Sequence, residues 1–473
     1  MSGEARRTIE QVATSAALVV VGLGLAACTS QEAGEALPMP GATAVSEQPE
    51  PAAAPAPMTP PLLTQRLTNM PGEKSFSFDL SVYPTENPSV IARPNQYDYA
   101  PSVTVDAEGK LKMWFCGGGG TGAHGGDSIW YSENYSLQGD PGSWSPPLEV
   151  IRPSDNPAHL DYAHVCDPSV VRSGGYDYVF YTGAADWAPN GGSCNGSPTA
   201  DGCDNRIFAA RVAIDATADA ASYEKLVNIS ECVEETCFAW QSSQKGQAEY
   251  PPVPVIRGPG EQTPVWRRTG TGAAGATTQQ TRAYGIGQPS VVNANGHLRM
   301  WYTNITETIA SENIAVKPVR DITEPFDAQD QDAFIENTLS NLGNEVNYDV
   351  AYSKELGRFV VTIAEEHPSE PTSPLSRPRV GIAQYTGTAT TEFYPPIMSN
   401  SLSNNTSSTA CNCYTGGETN THNSGFLRDE YGHLALTPGP DGSQYNWVYY
   451  GTNRSDPSQF NINRSAFTLA SHK

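Results

Sequence analysis

The chain is poor in basic residues. Its 473 residues include 28 Lys and Arg against 51 Asp and Glu, which gives a formal net charge of -23. A surface of this sign repels the phosphates of nucleic acids and of anionic lipid headgroups. Neutral ligands such as sugars remain compatible with it. We therefore expect no nucleic-acid partner.

The sequence also lacks the short motifs by which common classes of enzyme are identified. It has no GxSxG, HExxH or P-loop arrangement, and the glycine run 117–120 is not followed by the lysine of a phosphate-binding loop. No CxxC pair or histidine at finger spacing supports a zinc site, which is the competing reading of the cysteines. Function must therefore be sought in the fold and in residues that it brings together.

No hydrophobic run reaches a comfortable membrane-spanning length. The amino end has Arg6 and Arg7, then the apolar run 16–27, then Cys28. The LAAC stretch at 25–28 resembles the lipobox of bacterial lipoproteins, in which the cysteine is acylated. We expect a signal peptide at 1–27, with an ordinary N-terminal helix as the alternative. Thr29, where inner-membrane lipoproteins carry Asp, implies anchoring at the outer membrane or cell surface.

A Pro-, Ala- and Glu-rich segment follows and shows no apolar periodicity. We expect residues 28–70 to form a disordered tether and residues 71–473 to form one domain. The expected protein is an exported monomer that touches the membrane only through its lipid anchor.

The cysteine count agrees with export. Nine cysteines less Cys28 leave eight, an even number suited to four disulfides in an oxidising compartment. Cys116 and Cys166 can join neighbouring structural units. The insertion expected at about 190–284 carries two close pairs. The remaining cysteines are Cys194, Cys203, Cys232, Cys237, Cys411 and Cys413, the last two forming a pair whose bridge would be strained.

Internal repeats predict the fold. Segments 100–103, 167–170 and 288–291 all contain Pro-Ser-Val, and each is followed by a glycine turn and an apolar-aromatic run. Weaker copies begin at 348 and at 425, the latter with its second strand expected at 433–437. Third strands are expected at 129–132, 207–212, 314–319, 380–385 and 447–451. The pattern predicts an all-β five-bladed β-propeller, with a β-sandwich as the alternative.

In such a fold, the starts of the first strands and the ends of the second strands converge on one face. Polar and acidic residues recur at these positions although the strand interiors are apolar. The first-strand residues are Asp98, Tyr99, His164, Asp167, Gln288, Asn347, Asp349, His422 and Asn423. The second-strand residues are His124, Asp186, Trp187, Glu307, Glu365, Glu366 and His367.

The repeat pattern resembles the five-bladed propellers of glycoside hydrolase family 43. That resemblance implies a first-blade Asp as general base, a second-blade Asp that tunes and orients, and a third-blade Glu as general acid. Asp167 matches the second position. Ala100 stands at the first position, where Asp98 can substitute, and Gln288 stands at the third. Glu307, Glu365 or Glu366 can then supply the acid.

The candidate catalytic residues are therefore Asp98, Asp167, Asp349 and Glu365. The candidate substrate-binding residues are Tyr99, His164, Trp187, Gln288 and His422. No cofactor is expected beyond a central metal ion near His422, as in relatives. The expected function is a surface-tethered, glycoside hydrolase-like protein acting on polysaccharide or oligosaccharide. The alternative is a non-catalytic propeller lipoprotein that binds glycan or protein.

The lipobox generates one prediction. Cys28→Ser removes the thiol that is acylated, so the variant is expected to stay unprocessed or to leave the membrane fraction. The measurement is membrane partitioning, with metabolic labelling by a fatty acid. A variant that partitions with membranes as tightly as the parent would show that the lipoprotein interpretation is wrong.

Overall fold

The computed structural model describes residues 76–79, 90–94, 96–120, 126–136, 139–184, 205–228, 238–243, 250–256, 285–294, 297–305, 311–318, 334–336, 347–355, 358–364, 378–384, 394–401, 418–439, 442–454 and 460–471. Strands dominate these residues, beside two short 3-10 helices at 214–216 and 220–222. The predicted all-β class is confirmed. None of the helices described has the length and apolar character needed to cross a membrane. The expected signal peptide and tether, with Cys28, lie outside the described residues.

The strands form five antiparallel meanders. Meander 1 contains β2 (Asp98–Val105), β3 (Leu111–Gly117), β4 (Ser128–Asn134) and β5 (Leu148–Ile151). Meander 2 contains β6 (His164–Ser173), β7 (Tyr176–Ala184), β8 (Arg206–Ala213), β9 (Glu224–Asn228) and β10 (Phe238–Ser242). Meander 3 contains β11 (Gly285–Ala294), β12 (His297–Ile305), β13 (Ser311–Pro318) and β14 (Phe334–Glu336). Meander 4 contains β15 (Asn347–Ser353), β16 (Arg358–Ala364), β17 (Pro378–Gln384) and β18 (Tyr394–Ser401). Meander 5 contains β19 (Glu418–Asp429), β21 (Gln444–Arg454), β22 (Phe460–Ser471) and β1 (Phe76–Asp79), with β20 (Thr437–Pro438) beside β21.

The two ends of the domain are joined within meander 5. Strand β1 pairs antiparallel with β22, so the first described strand completes the last meander. The first strands of successive meanders contact one another, and β19 pairs in parallel with β2 to complete the series. Meanders arranged in such a closed ring are the architecture of a β-propeller, which protects most strand edges from water.

Meander 5 departs from its predicted strand order. The run 447–451, predicted as its third strand, lies in β21 and pairs directly with β19 as the second strand. The run 433–437, predicted as the second strand, makes isolated bridges and contributes only to β20. The other four third-strand predictions overlap β4, β8, β13 and β17, and residues 319 and 385 of these predictions lie outside the described residues. The turn before residue 433 closes only a short hairpin, in which Asp429 N donates to the carbonyl of His433 and Ala435 N to that of Leu427. The rest of β19 pairs with β21, which therefore takes the place of the second strand.

This turn, residues 430–432, crosses one end of the ring. The amides of Arg172, Asn293 and Tyr352 donate to the carbonyls of residues 430, 431 and 432, at 2.6, 2.9 and 3.1 Å. These donors belong to β6, β11 and β15. Gly432 has φ +84° and lies so close to Val292 that a Cβ atom would be 3.0 Å from its Cα. The turn therefore covers the end of the ring where these first strands finish.

The span 190–284, expected as an insertion, contributes three strands to the ring. Strands β8, β9 and β10 all lie within it and extend meander 2. Its four cysteines lie outside the described residues.

Apolar side chains fill the spaces between adjacent meanders. One cluster lies between meanders 1 and 2, one between 2 and 3, one between 5 and 1, and one between 4 and 5. Representative buried members are Trp114 with Phe208, Phe180 with Met300, Met113 with Trp447, and Phe426 with Val360. Trp301 meets Phe359 between meanders 3 and 4, with ring centroids 4.8 Å apart. The meanders are thus held by face-to-face packing of the kind that the alternating strand patterns predict.

A disulfide joins the first two meanders. Cys116 of β3 is bonded to Cys166 of β6, and both are buried. The prediction that these two cysteines link neighbouring units is confirmed.

The Pro-Ser-Val repeats form the same local structure in three meanders. In β2, β6 and β11, the strand register skips at the residue pair just before the serine, which is a β-bulge. A similar skip occurs in β19 before Ser424. One residue at each bulge has a left-handed backbone; these are Ala100, Asp167, Gln288 and Asn423, with φ of 48°, 48°, 52° and 33°.

Each bulge of the Pro-Ser-Val repeats places the side chain of its serine where it can bond to the next meander. The serine hydroxyl accepts a hydrogen bond from a backbone amide in the first strand of that next meander. In meander 4, the carboxylate of Asp349 takes the place of the serine hydroxyl. The bonds are Val170 N to Ser102 at 3.1 Å, Val291 N to Ser169 at 2.9 Å, Val350 N to Ser290 at 2.9 Å and Phe426 N to Asp349 at 2.9 Å.

Arg428 of β19 lies inside this series of bonds and is fully buried. Its Nη1 donates to Asp349 at 3.1 Å and to the carbonyls of Val291 and Val350. Its Nη2 donates to Ser102 at 3.1 Å and to Ser169 at 3.4 Å. One guanidinium of meander 5 therefore contacts the other four meanders.

Arg428→Met is expected to cost about 3–5 kcal/mol of unfolding free energy, because the Asp349 charge would remain buried without its partner. Denaturant unfolding measures the loss. Arg464→Met is the matched control, since Arg464 is also buried but stacks on Trp447 of its own meander and faces, at 3.7 Å, the carboxylate of Asp140, which is 40% exposed and so is not left as a buried charge. If Arg428→Met loses no more unfolding free energy than the control, Arg428 is not central to the stability of the ring.

Acid is expected to weaken the turn 430–432 through Asp429. Burial opposes ionisation, but bonds from His433 and Lys354 lower the pKa of Asp429 to about 2 from 3.8. A carboxylate with a lowered folded pKa stabilises the fold above its unfolded pKa, and this contribution is lost as pH falls from about 4 towards about 2. Urea unfolding across this range should show Asp429→Asn losing less stability than the parent, by on the order of 1–2 kcal/mol. Parallel losses in both proteins would contradict the assignment.

Candidate functional site

A small cavity lies where the first strands begin, at the end of these strands opposite the turn 430–432. Its volume is about 30 Å³, room for little more than one water-sized group. All five meanders contribute to its wall. The lining residues are Ala100, Pro101, Ser102, Asp167, Pro168, Gln288, Pro289, Tyr348, Asp349, Asn423 and Ser424.

The four bulges determine which side chains reach the cavity. A left-handed backbone at a non-glycine residue costs on the order of 1–3 kcal/mol and persists only where the surroundings impose it. Ala100 adopts it without any polar side chain, so the conformation itself belongs to the architecture. What differs among the bulges is the side chain presented: a methyl group, a carboxylate and two carboxamides.

Asp167 and Asn423 meet across the cavity, although they belong to meanders 2 and 5. Asn423 Nδ2 donates to Asp167 Oδ1 at 2.7 Å. Asp167 is partly exposed, whereas Asn423 is 7% exposed. Both are predicted strand-entrance residues, and the structure brings them together.

Gln288 is held in place by two threonines. Its backbone amide donates to Thr182 Oγ1 at 2.7 Å, and its Oε1 accepts from Thr303 Oγ1 at 3.1 Å. Thr182 belongs to meander 2, so this contact crosses between meanders. The side chain is therefore oriented before any ligand arrives.

Asp349 also lines the cavity, but both of its oxygens accept hydrogen bonds from the protein. Ser290 and Arg428 donate to Oδ1, and the amide of Phe426 donates to Oδ2. In this arrangement Asp349 links meanders 3, 4 and 5 through its hydrogen bonds, which is a structural role.

Asp98 is fully buried beside Arg93, outside the cavity wall. Arg93 Nε donates to Asp98 Oδ1 at 2.9 Å, and its guanidinium lies 3.9 Å from the Trp130 ring centroid. Burial raises the pKa of Asp98, while Arg93 acts in the opposite direction. Asp98, the candidate general base, is thus held in an ion pair whose guanidinium stacks on the ring of Trp130.

Tyr99 and His164 both lie next to the carboxylate of Asp127, a residue that the sequence patterns did not identify. Tyr99 donates its hydroxyl to Asp127 at 2.9 Å, and His164 Nδ1 lies 3.6 Å from the same oxygen. Asp127 is also within 4.8 Å of the sulfurs of Cys116 and Cys166. Because those sulfurs form a disulfide, they are not thiolate ligands for a metal.

The remaining candidate catalytic and substrate-binding residues lie, entirely or by their side chains, beyond the described part of the chain. Glu365 and Trp187 are among them, as is the side chain of His422, whose backbone pairs with Gly451. The metal expected near His422 stays a prediction. Sequence reasoning missed Arg93, Asp127, Tyr348 and Arg428 as partners in this region. Tyr348 and Arg428 lie in the two weaker copies of the repeat, and Arg93 and Asp127 lie outside the copies.

No family model matches the chain, and no curated protein matches it. Solved structures with a similar fold include a family 117 glycoside hydrolase from Zobellia galactanivorans, at 10% identity over 83% of this chain and 90% of that one, with a TM-score of 0.43. An α-L-arabinofuranosidase from Lactobacillus brevis has 10% identity over 80% and 93%, with a TM-score of 0.45. A thermostable family-43 glycoside hydrolase has 12% identity over 81% and 96%, with a TM-score of 0.42.

These similar structures are glycoside hydrolases with which this chain shares about a tenth of its residues. At that level of identity and overlap, the similarity does not establish a shared activity.

Proposed function

We propose that the chain is a glycoside hydrolase-like, five-bladed propeller that binds a carbohydrate at the central cavity. Each of the five meanders is one blade. The observation that carries the proposal is the meeting of Asp167, Asn423 and Gln288 from three different meanders at one cavity. Carboxylate and carboxamide groups are the usual hydrogen-bond partners of neutral hydroxyl groups.

Size decides how the ligand would sit. About 30 Å³ does not enclose a sugar ring, which is several times larger than a water molecule. The cavity can receive one hydroxyl group of a larger ligand that lies above it. The strongly negative protein favours an uncharged ligand over a polyanionic one.

Hydrolysis of that carbohydrate is a second candidate function. Two carboxylates with different protonation states are needed. Asp349 is committed to Arg428, which leaves Asp167 as the cavity carboxylate to take a chemical role. Strand β16 ends at Ala364, opposite the start of β15 at Asn347, so its end lies on the cavity side. Glu365 follows next in the sequence and is the proposed acid.

We also propose export and anchoring at the outer membrane or cell surface through Cys28. The buried disulfide between meanders 1 and 2 supports export, because such bonds persist in oxidising compartments. The segment 28–70 would then hold the ring away from the lipid.

Asp167→Asn preserves shape and removes the charge, so it is expected to weaken carbohydrate binding about tenfold, since hydrogen bonds to an ionised acceptor are the stronger ones. If the ligand is cleaved, turnover should fall about 100-fold or more. Calorimetry and product chromatography on soluble gluco-, xylo-, arabino- and galacto-oligosaccharides provide the measurements. The melting temperature should change little.

Asp215→Asn is the matched control, because it removes the same charge from an exposed site in meander 2. Binding without cleavage would leave the non-catalytic alternative. If the parent protein neither binds nor cleaves any of these sugars, the proposed function is wrong.

A further inference from the structure

Asn423 occupies an unusual position for a polar side chain. It is buried to more than nine-tenths, lines the cavity and has a left-handed backbone at a β-bulge. Asparagine tolerates this backbone better than most residues, but the conformation is still uncommon. The bulge of β19 thus holds this side chain at the cavity end of the strand.

The orientation of its carboxamide follows from chemistry. An ionised carboxylate only accepts hydrogen bonds, so the group that lies 2.7 Å from Asp167 Oδ1 must be the NH2 group. Turning the amide over would bring two acceptor oxygens together without a proton between them. The contact with Asp167 therefore fixes which way the amide points.

This orientation leaves the other end of the amide without a donor. Asn423 Oδ1 is buried and has no hydrogen-bond partner among the residues that the structure describes. Buried acceptors in native proteins are nearly always paired, and leaving one unpaired is costly. Because Asn423 lines the cavity, a group that enters the cavity is the natural source of the missing donor.

We propose that Asn423 is a ligand-binding residue, whose Oδ1 accepts a hydrogen bond from a hydroxyl group of the bound carbohydrate while Asp167 holds the amide in position. This assignment rests on the proposed function and adds a residue from the fifth meander to the site. Asp167 and Asn423 then act as a pair: the carboxylate orients the amide, and the amide oxygen meets the ligand.

The first test compares two leucine variants. Asn423→Leu has a similar volume and removes both the donor and the acceptor, so affinity for the tightest-bound oligosaccharide of the panel should fall about tenfold, the value of one lost hydrogen bond. Asn293→Leu is the matched control, because Asn293 is a buried asparagine at the far end of β11, where its Nδ2 donates to the carbonyl of Arg172. Calorimetry measures both, and circular dichroism checks that each variant is folded.

The second test needs no ligand. Asn423→Asp places two carboxylates in contact, so one proton is held between them with a strongly raised pKa. While that proton is present, the variant has the same donor and free acceptor as the parent. Its melting temperature should therefore match the parent at acidic pH and fall below it as rising pH removes the proton. With the oligosaccharide present, affinity should fall over the same pH range.

The outcomes separate this assignment from the proposed function. Suppose that the parent binds the oligosaccharide, that Asp167→Asn weakens this binding and that Asn423→Leu leaves it unchanged. The proposed function would then stand, but Asn423 would not be a ligand-binding residue, and water would be the partner of its Oδ1. A pH-independent difference between Asn423→Asp and the parent would overturn the orientation of the amide. A parent that binds no sugar defeats both.

Discussion

The structure depends on one buried arginine at the centre of the ring. Arg428 of the last meander donates to hydroxyl, carboxylate and carbonyl oxygens of the other four. A guanidinium suits this task because its donors point outward in a fixed plane and its charge is permanent. Burying that charge is expensive unless it is neutralised and hydrogen-bonded. Both Nη groups are bonded, whereas Nε has no partner among the described residues. Asp349 provides the opposite charge, which explains why a carboxylate stands in meander 4 where the others carry serine.

Arg428 and the serines around it lie between two different ends of the ring, one closed by a turn and the other bearing the candidate site. At one end, the turn 430–432 accepts the amides of three first strands. At the other end, the bulges present Asp167, Gln288 and Asn423 around the cavity. Between them lie Arg428 and the serines of the repeats. The serine stabilises the ring, and the residue two positions before it faces the cavity, so a single three-residue motif serves both structure and site.

This division of roles explains which candidate residues the sequence could identify. Asp167 and Gln288 stand immediately before the repeated proline, so their shared position was visible from the repeats. Asn423 lacks that proline, yet it has the same backbone conformation. Asp98 was chosen for its place near a strand start, and the structure shows it paired with Arg93 beside an aromatic ring. Sequence patterns indicate where a strand begins, but they do not indicate which cation lies next to it.

The sequence by itself determined three strands in each of the first four meanders, the turns of these meanders and the repeated Pro-Ser-Val unit, because alternation and turn chemistry are local properties. It also determined the acidic surface and the pairing potential of the cysteines, of which Cys116 and Cys166 are joined. The tertiary structure alone decided the strand order of meander 5, the central role of Arg428 and the meeting of Asp167 with Asn423. The contacts of Arg428 with meander 2 and the contact of Asp167 with Asn423 join residues more than 250 positions apart in the chain. No local pattern encodes such contacts, since they arise only when the ring closes.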